Sequence, residues 1–293
     1  MDAARSGLST SLFERLQACG LPPLLLNTQY RMHPEIAAWP SKQFYSRRLQ
    51  SAVTPEQRPS PRGLAWPSAD VPIAFVRVVG SELRRATDVT IPGTRGGEEA
   101  RADGFVGEAA GAGSRGDGGE KATSYANMEE ASAIAAVAAA LVANGVAAAD
   151  IGVLTPYSAQ ALQLRRALAA IEGLQPPVRS GSSGRAGQRS GRGVASPESD
   201  GRDGSIEVSS VDGFQGREKE VILFSCVRSN DAGGVGFLSD ARRLNVALTR
   251  ARSGLVVVGN DATLRVDPNW RAFLAHVEKR GCVVSCVDDV LAQ

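Results

Sequence analysis

The chain has 293 residues, of which 43% are hydrophobic and 5% aromatic, enough for one large domain or two small ones with a buried core. Its 33 basic and 31 acidic residues nearly balance, which excludes a uniformly basic nucleic-acid coat and a strongly acidic tail but allows a local basic groove. Four cysteines without a paired spacing exclude a disulfide scaffold.

Local patterns disfavour two further classes of protein. His276, Cys282 and Cys286 stand close together, but we interpret the cysteines as buried free thiols near a strand, and we predict no metal site. The N-terminal residues lack the apolar run of a signal peptide, and no stretch approaches the roughly 18 apolar residues of a transmembrane helix. These features predict a soluble cytoplasmic protein, which could also enter the nucleus and which does not contact a membrane.

Short β-rich runs alternate with helical stretches along the chain. The predicted strands are 24–28, 73–79, 151–155, 206–210, 221–226, 255–259 and 282–286, and the predicted helices are 128–143, 158–171 and 240–251. In the last helix Leu244 and Leu248 belong to an apolar stripe, and Ser239 or Asp240 is placed to cap it. The alternation predicts an α/β fold with a mostly parallel sheet covered by helices on both faces.

Two glycine-rich segments interrupt this pattern. Residues 92–120 hold 10 of the 32 glycines, and residues 176–205 hold 7 more. Neither segment shows apolar periodicity, so burial cannot offset its ordering entropy, and we predict that both are disordered insertions. The arginines of the second segment leave two interpretations open, an RNA-contacting Arg/Gly-rich segment or a solvated spacer.

Four polar clusters lie next to predicted strands. Because ligands of open α/β sheets bind beyond the carboxyl ends of the strands, we expect all four clusters to line one edge of the sheet. The first, Gln29–Pro34, sets Tyr30 beside Arg31, a pair suited to a base and its phosphates. The second, Thr155–Gln160, ends a strand and opens a helix, whose first amides suit a phosphate backbone. Either cluster alone could also be an ordinary turn or helix cap.

The other two clusters are denser. Ser209–Glu220 joins two strands and crowds polar side chains around Gly213 and Gly216, as functional loops on rigid scaffolds do. Arg242–Arg252 carries Arg250 on the predicted helix, beside the apolar stripe. An arginine held on a rigid helix can neutralise charge on a transferring phosphate, although a solvent-exposed basic helix is the simpler interpretation.

The four clusters together are far more specific than any one alone. The segments QYRMHP, TPY, VDGFQGREKEVILFSCVRSN and GFLSDARRLNVALTRAR resemble, in this order, the motifs of the C-terminal motor domain of superfamily-one RNA/DNA helicases. The likeness is strongest to the up-frameshift type, which acts in nonsense-mediated mRNA decay, and it runs from about Ala4 to Gly259. It implies that residues 1–293 form the second RecA-like motor domain, a three-layer α/β fold carrying the two insertions.

The resemblance also implies a role for each matching residue. Arg250 would be the arginine finger, and Arg31 would touch the γ-phosphate. Tyr30 would stack near the adenine, while Glu218, with Gln215 nearby, would contact the ribose or sense the nucleotide. The residues that would face single-stranded RNA or DNA are Thr155, Pro156, Tyr157, Ser210, Val211 and Arg228.

The chain contains neither the P-loop pattern GxxxxGK[ST] nor the acidic magnesium motif of such motors. ATP with Mg²⁺ would therefore bind against a first RecA-like domain, in cis or in trans, which would supply the magnesium ligands. Without that domain we predict no ATPase activity from this chain alone.

Three interpretations stay open. The chain is part of a complete ATP-dependent helicase, or a stand-alone half that docks on a P-loop partner, or a non-catalytic module that binds single-stranded nucleic acid or a protein. The joint presence of Tyr30, Arg31, Glu218 and Arg250 favours the first two, because a module without ATP chemistry would have no need of them.

Overall fold

The computed structural model describes residues 10–86, 123–171, 174 and 204–291. The predicted insertion 92–120, and all of 176–205 except its last two residues, lie outside the described residues. Within them the chain forms seven α-helices and ten strands. In chain order they are α1 (Leu12–Ala18), β1 (Thr28–Gln29), α2 (Pro34–Phe44), β2 (Gln50–Ser51), β3 (Ile73–Arg77), β4 (Glu82–Ala86), β5 (Thr123–Asn127), α3 (Met128–Ala143), β6 (Ile151–Thr155), α4 (Ser158–Ala169), β7 (Glu207–Ser210), β8 (Lys219–Ser225), α5 (Ala241–Leu248), β9 (Ala251–Gly259), α6 (Asp261–Leu264), α7 (Pro268–Lys279) and β10 (Val283–Val284).

One six-stranded sheet organises the fold. Its order is β10-β3-β9-β8-β6-β7, and every neighbouring pair runs parallel. Strands β1 and β2 form a separate parallel pair, and β4 and β5 form a separate antiparallel pair. The parallel order places the carboxyl ends of all six strands at one edge, called the carboxyl edge below, and their first residues at the opposite amino edge.

Apolar side chains alternate between the two faces of the sheet. In β8, Ile222 and Phe224 pack on the face covered by α2, α5 and α7, while Val221 and Leu223 pack on the face covered by α3 and α4. A strand covered on both sides is apolar at nearly every position, which explains the continuous run VILF. The predicted three-layer, RecA-like α/β fold is therefore confirmed.

The predicted bounds of β6 and α3 are exact, whereas the other predicted elements shift at one end or both. Strand β9 begins at Ala251, four residues before its predicted range of 255–259. The predicted strand 24–28 is reduced to β1, outside the main sheet, and Leu24 and Leu26 are 96% and 89% exposed. The predicted helix 240–251 ends at Leu248 with Thr249 as its C-cap, because Ala251 already begins β9. The predicted strand 282–286 shortens to β10. Arg250 therefore lies on a connection, not on a helix.

All four cysteines are free, and the two that were considered as metal ligands, Cys282 and Cys286, differ in burial. Cys226 and Cys282 are buried, whereas Cys19 and Cys286 are exposed. The interpretation as buried thiols is right for Cys282 and wrong for Cys286. Among the described residues, no group of three or more His, Cys, Asp or Glu side chains is arranged to hold a metal ion. None of the described helices has both the length and the apolar character needed to cross a bilayer.

Glu130, in the first turn of α3, is fully buried and makes the stability of the fold depend on pH. Burial raises the pKa of its carboxyl to about 8, although donors from Ser225 and Val227 oppose the shift. Between the ordinary pKa of a glutamate, 4.5, and about 8, the folded state then binds more protons than the unfolded state. The free energy of unfolding should therefore fall as pH rises through this window.

We expect Glu130→Gln to remove this part of the pH dependence, because a neutral amide does not titrate. Urea unfolding of both proteins across the window measures it. Glu129→Gln removes an exposed charge that adds only a minor part of the shift, so most of the slope should persist in this control. An unchanged slope of stability against pH in Glu130→Gln would show that another group is responsible.

Candidate functional site

The four polar clusters lie at two opposite edges of the sheet, and the expectation that they share one edge is wrong. Thr155 and Ser210 end the paired strands β6 and β7 at the carboxyl edge. Glu218 and Arg250 directly precede β8 and β9, whose first residues pair at the amino edge. The seven residues of β8 separate the two edges by roughly 20 Å.

The loop 211–218 explains why one cluster reaches both edges. Strands β7 and β8 lie on either side of β6 and run parallel to it, so the chain must return from the carboxyl edge to the amino edge between them. Val211 is thus at one edge and Glu218 at the other. Gln215 is exposed in the middle of this loop, where Gly216 adopts a positive φ of 86°.

Arg31 is placed at the amino edge by the backbone that follows it. The His33 amide donates to the Arg252 carbonyl at 2.7 Å, which docks the segment after β1 onto the start of β9. Arg31 then donates from Nε to the Glu218 carboxylate and from Nη1 to the Thr249 carbonyl at 3.0 Å. Its neighbour Tyr30 is 68% exposed, with its ring free to meet a ligand.

Arg250 is held beside Arg31 by backbone carbonyls. Its Nε donates to the Val246 carbonyl at 3.0 Å and its Nη1 to the Arg217 carbonyl at 3.3 Å. Burial and the charge of Arg31 lower the pKa of the Arg250 guanidinium, and Glu218 opposes that shift. An arginine stays cationic in a protein, so the shift reports an unfavourable proximity of two positive charges.

The amino-edge cluster therefore carries more positive than negative charge. Arg252 adds a third guanidinium, 3.1 Å from Glu220 and 3.9 Å from Glu218. Three arginines thus face two carboxylates. A polyanion such as the triphosphate of ATP would relieve this imbalance and would find planar donor groups already oriented. The residues present fit a nucleotide phosphate chain at this edge.

The carboxyl-edge residues are less exposed than their predicted role suggests. Thr155, Tyr157 and Val211 are buried, and Arg228 is only 9% exposed. Pro156 and Ser210 are half-buried at the surface of the same edge. The hydroxyl of Thr155 is buried and has no hydrogen-bond partner among the described residues.

Arg228 forms an ion pair with Glu82, a residue that the sequence motifs did not indicate. Its Nε donates to Glu82 at 2.8 Å, and its guanidinium lies 4.3 Å from the centre of the Tyr125 ring. Its Nη1 is 3.4 Å from the Tyr157 hydroxyl, which donates to the Val235 carbonyl. Glu82 stands 146 residues from Arg228 along the chain, so no local pattern could have revealed the pair.

Comparison with known proteins gives a consistent result. Residues 8–262 match the family described as an AAA domain. The chain is 37% identical to a "Regulator of nonsense transcripts 1 homolog" of Arabidopsis thaliana over 96% of its own length and 18% of that protein. It is 34% identical to the "ATP-dependent helicase NAM7" of Saccharomyces cerevisiae over 96% of its own length and 23% of that protein.

A third relative, the "Putative ATP-dependent RNA helicase ECM32" of the same yeast, is 36% identical over 93% of this chain and 22% of that protein. The chain spans about a fifth of the length of the curated relatives that it matches. The resemblance to up-frameshift helicases that the four motifs predicted is therefore confirmed at the level of the family.

Proposed function

The chain belongs to the AAA domain family, and from this membership and the two edges we propose that it is the C-terminal RecA-like motor half of an ATP-dependent superfamily-one helicase. We assign it to nonsense-mediated mRNA decay or related RNA metabolism, with single-stranded RNA or DNA as its substrate. The observation that carries the proposal is the position of Arg31, which bonds Glu218, beside Arg250, which backbone carbonyls hold at the amino edge.

At the amino edge the arginines would act on the phosphate chain of ATP. Carbonyls that fix the Arg250 guanidinium before a nucleotide arrives remove the reorganisation that charge stabilisation would otherwise need. Arg250 is the proposed arginine finger and Arg31 the proposed γ-phosphate contact, while exposed Tyr30 stacks on the base. Glu218 is the proposed nucleotide sensor, since a phosphate that binds Arg31 would release the Glu218 carboxylate from its bond with Arg31. Gln215 lies on the same loop.

At the carboxyl edge the backbone ends of β6 and β7 would meet the single strand. Pro156 and Ser210 lie at its surface, and the other proposed strand contacts, Thr155, Tyr157, Val211 and Arg228, are buried at the same edge. The separation of the two edges by the full length of β8 gives ATP and nucleic acid distinct sites on one rigid body. Loop 211–218, which runs from one edge to the other, would connect the two sites.

The proposed motor needs a partner domain. A first RecA-like domain, in cis or in trans, would supply the P-loop and the ligands for Mg²⁺, whose charge would neutralise the β- and γ-phosphates when bound. The residues of this chain would contribute the opposing wall of the ATP cleft. We propose that the assembled protein works in the cytoplasm or the nucleus.

We expect this chain to bind labelled oligouridine with an affinity that falls steeply as salt rises and that tolerates changes of sequence. Phosphate contacts release counterions, with a logarithmic slope of about −0.7 for each contact on a single strand. Fluorescence anisotropy against salt concentration measures that slope. Affinity that is independent of salt, or that depends on base identity, would contradict the proposal.

Ser158→Glu localises this binding to the carboxyl edge. Ser158 is exposed and opens α4, where a carboxylate favours the helix but repels a phosphate. We expect about tenfold weaker binding of oligouridine. Ala169→Glu adds the same charge at the exposed opposite end of α4 and should leave the affinity unchanged. Equal weakening by both substitutions would place the strand elsewhere.

A further inference from the structure

A strained turn follows β8 at the carboxyl edge. Val227 has a φ of +72°, and the Arg228 amide donates to the Cys226 carbonyl at 2.8 Å, which closes a γ-turn around it. Such turns are rare because the backbone is strained, and a β-branched residue there is an outlier. Strain of this kind persists only where surrounding groups hold it, and it concentrates at functional sites.

Two side chains from the start of α3 hold the Val227 peptide on both sides. Glu130 accepts the Val227 amide at 2.8 Å and the Ser225 hydroxyl at 2.6 Å through the same oxygen. Asn127 donates from Nδ2 to the Val227 carbonyl at 3.2 Å, while its side-chain oxygen caps α3. Both residues are 0% exposed, so water does not compete for these bonds.

The turn decides where Arg228 lies. Beyond Val227 the chain is directed so that Arg228 reaches the Tyr157 hydroxyl, and Arg228, Ser229 and Asn230 all donate to Glu82. Tyr157 in turn contacts the rings of Tyr125 and Phe237 at 5.5 and 5.6 Å between centroids. The position of Tyr157 and Arg228 thus depends on a peptide that would not adopt its conformation unaided.

We propose that Asn127 and Glu130 are positioning residues for single-stranded nucleic acid, holding the Val227 turn so that Arg228 and Tyr157 keep the carboxyl edge in its binding geometry. This inference rests on the proposed function, because it concerns the same edge. It assigns a role to two side chains that do not touch the strand. Gln160 completes the arrangement by bonding both the Asn127 backbone and the Ser225 hydroxyl.

The test compares the affinity of the full chain for labelled oligouridine among variants of the clamp. Glu130→Ala removes the acceptor of the Val227 amide, and Asn127→Ser keeps a capping hydroxyl but cannot reach the Val227 carbonyl. We expect about tenfold weaker binding for the first and about fivefold for the second, the loss that follows when a strained turn relaxes. Glu130→Gln, which keeps one oxygen for the amide, should bind within about twofold of the wild type.

Controls separate positioning from stability. Glu129→Ala removes a carboxylate from the same helical turn without contacting Val227 and should bind normally. Leu168→Ala destabilises the same side of the sheet through a buried cavity and should also bind normally when folded. Normal binding by folded Glu130→Ala or by Asn127→Ser would overturn the proposal. Failure of the wild type to bind oligouridine would instead overturn the proposed function.

A glycine at the turn gives a second readout that does not require Glu130→Ala to fold. Glycine adopts positive φ without strain, so Val227→Gly should make the clamp partly dispensable. We expect Asn127→Ser to weaken binding less in the Val227→Gly background than in the wild type, which a double-mutant cycle measures. Equal losses in the two backgrounds would show that Asn127 acts through something other than this turn.

Discussion

Replacing Arg250 with alanine in a complete motor, in which a P-loop domain is joined to this chain, should lower ATP turnover about a thousandfold or more. The guanidinium is fixed by the Val246 and Arg217 carbonyls beside Arg31, so its charge is oriented before the phosphate arrives. Steady-state ATP hydrolysis with saturating oligouridine measures the loss. Affinity for the strand should stay within about twofold, because the carboxyl edge is roughly 20 Å away.

Two further variants define what Arg250 supplies. Arg250→Lys keeps a positive charge but loses the planar fork, so it should restore only a small part of the turnover. Arg242→Ala removes an 86% exposed guanidinium that pairs with Glu14, and it should leave turnover unchanged. Near-normal turnover in Arg250→Ala would refute the finger assignment.

Trp270→Ala should cause the largest loss of stability, about 3–5 kcal/mol in the free energy of unfolding. Trp270 is fully buried, stacks on Phe224 and meets Phe273 edge-on. Its indole N–H also donates to the Leu238 carbonyl at 2.9 Å, which the alanine would leave unpaired. Urea denaturation monitored by circular dichroism measures the change.

Trp270→Phe separates packing from the hydrogen bond, since it keeps a ring and loses the N–H. We expect an intermediate loss of about 1–3 kcal/mol. Val266→Ala changes a 57% exposed side chain that precedes the same helix and should alter stability by less than about 0.5 kcal/mol. A small effect of Trp270→Ala would mean that the core on this face tolerates a cavity.

Local patterns predicted the central elements of the fold accurately. The bounds of β6 and α3 agree with their predicted ranges, because a short apolar run that ends at Thr155-Pro156 and a capped alanine-rich run each determine their own ends. Of the two cap candidates for α5, Asp240 is the one that bonds the Arg242 and Arg243 amides. The strand prediction from apolar composition was wrong at Leu24–Leu26, which are exposed and do not pair with another strand.

The site was predicted in its residues but not in its arrangement. In the sequence, Thr155 follows a strand, whereas Glu218 and Arg250 precede one. The expectation of a single edge was wrong because the rule that ligands bind at the carboxyl ends of strands was applied to all four clusters alike. Contacts between residues far apart in the sequence were not predicted. Glu82 binds Arg228, and Glu130 holds Val227 from 97 residues away, and neither pair leaves a local pattern.

The proposed motor requires this chain to complete an ATP site through its amino edge. The most direct measurement is the strand-stimulated ATP turnover of a P-loop motor domain alone, joined to this chain, and joined to the Arg250→Ala chain. We expect turnover well above that of the P-loop domain alone only when the unchanged chain is joined. Equal turnover in all three proteins would contradict it, since the amino-edge arginines would then take no part in hydrolysis.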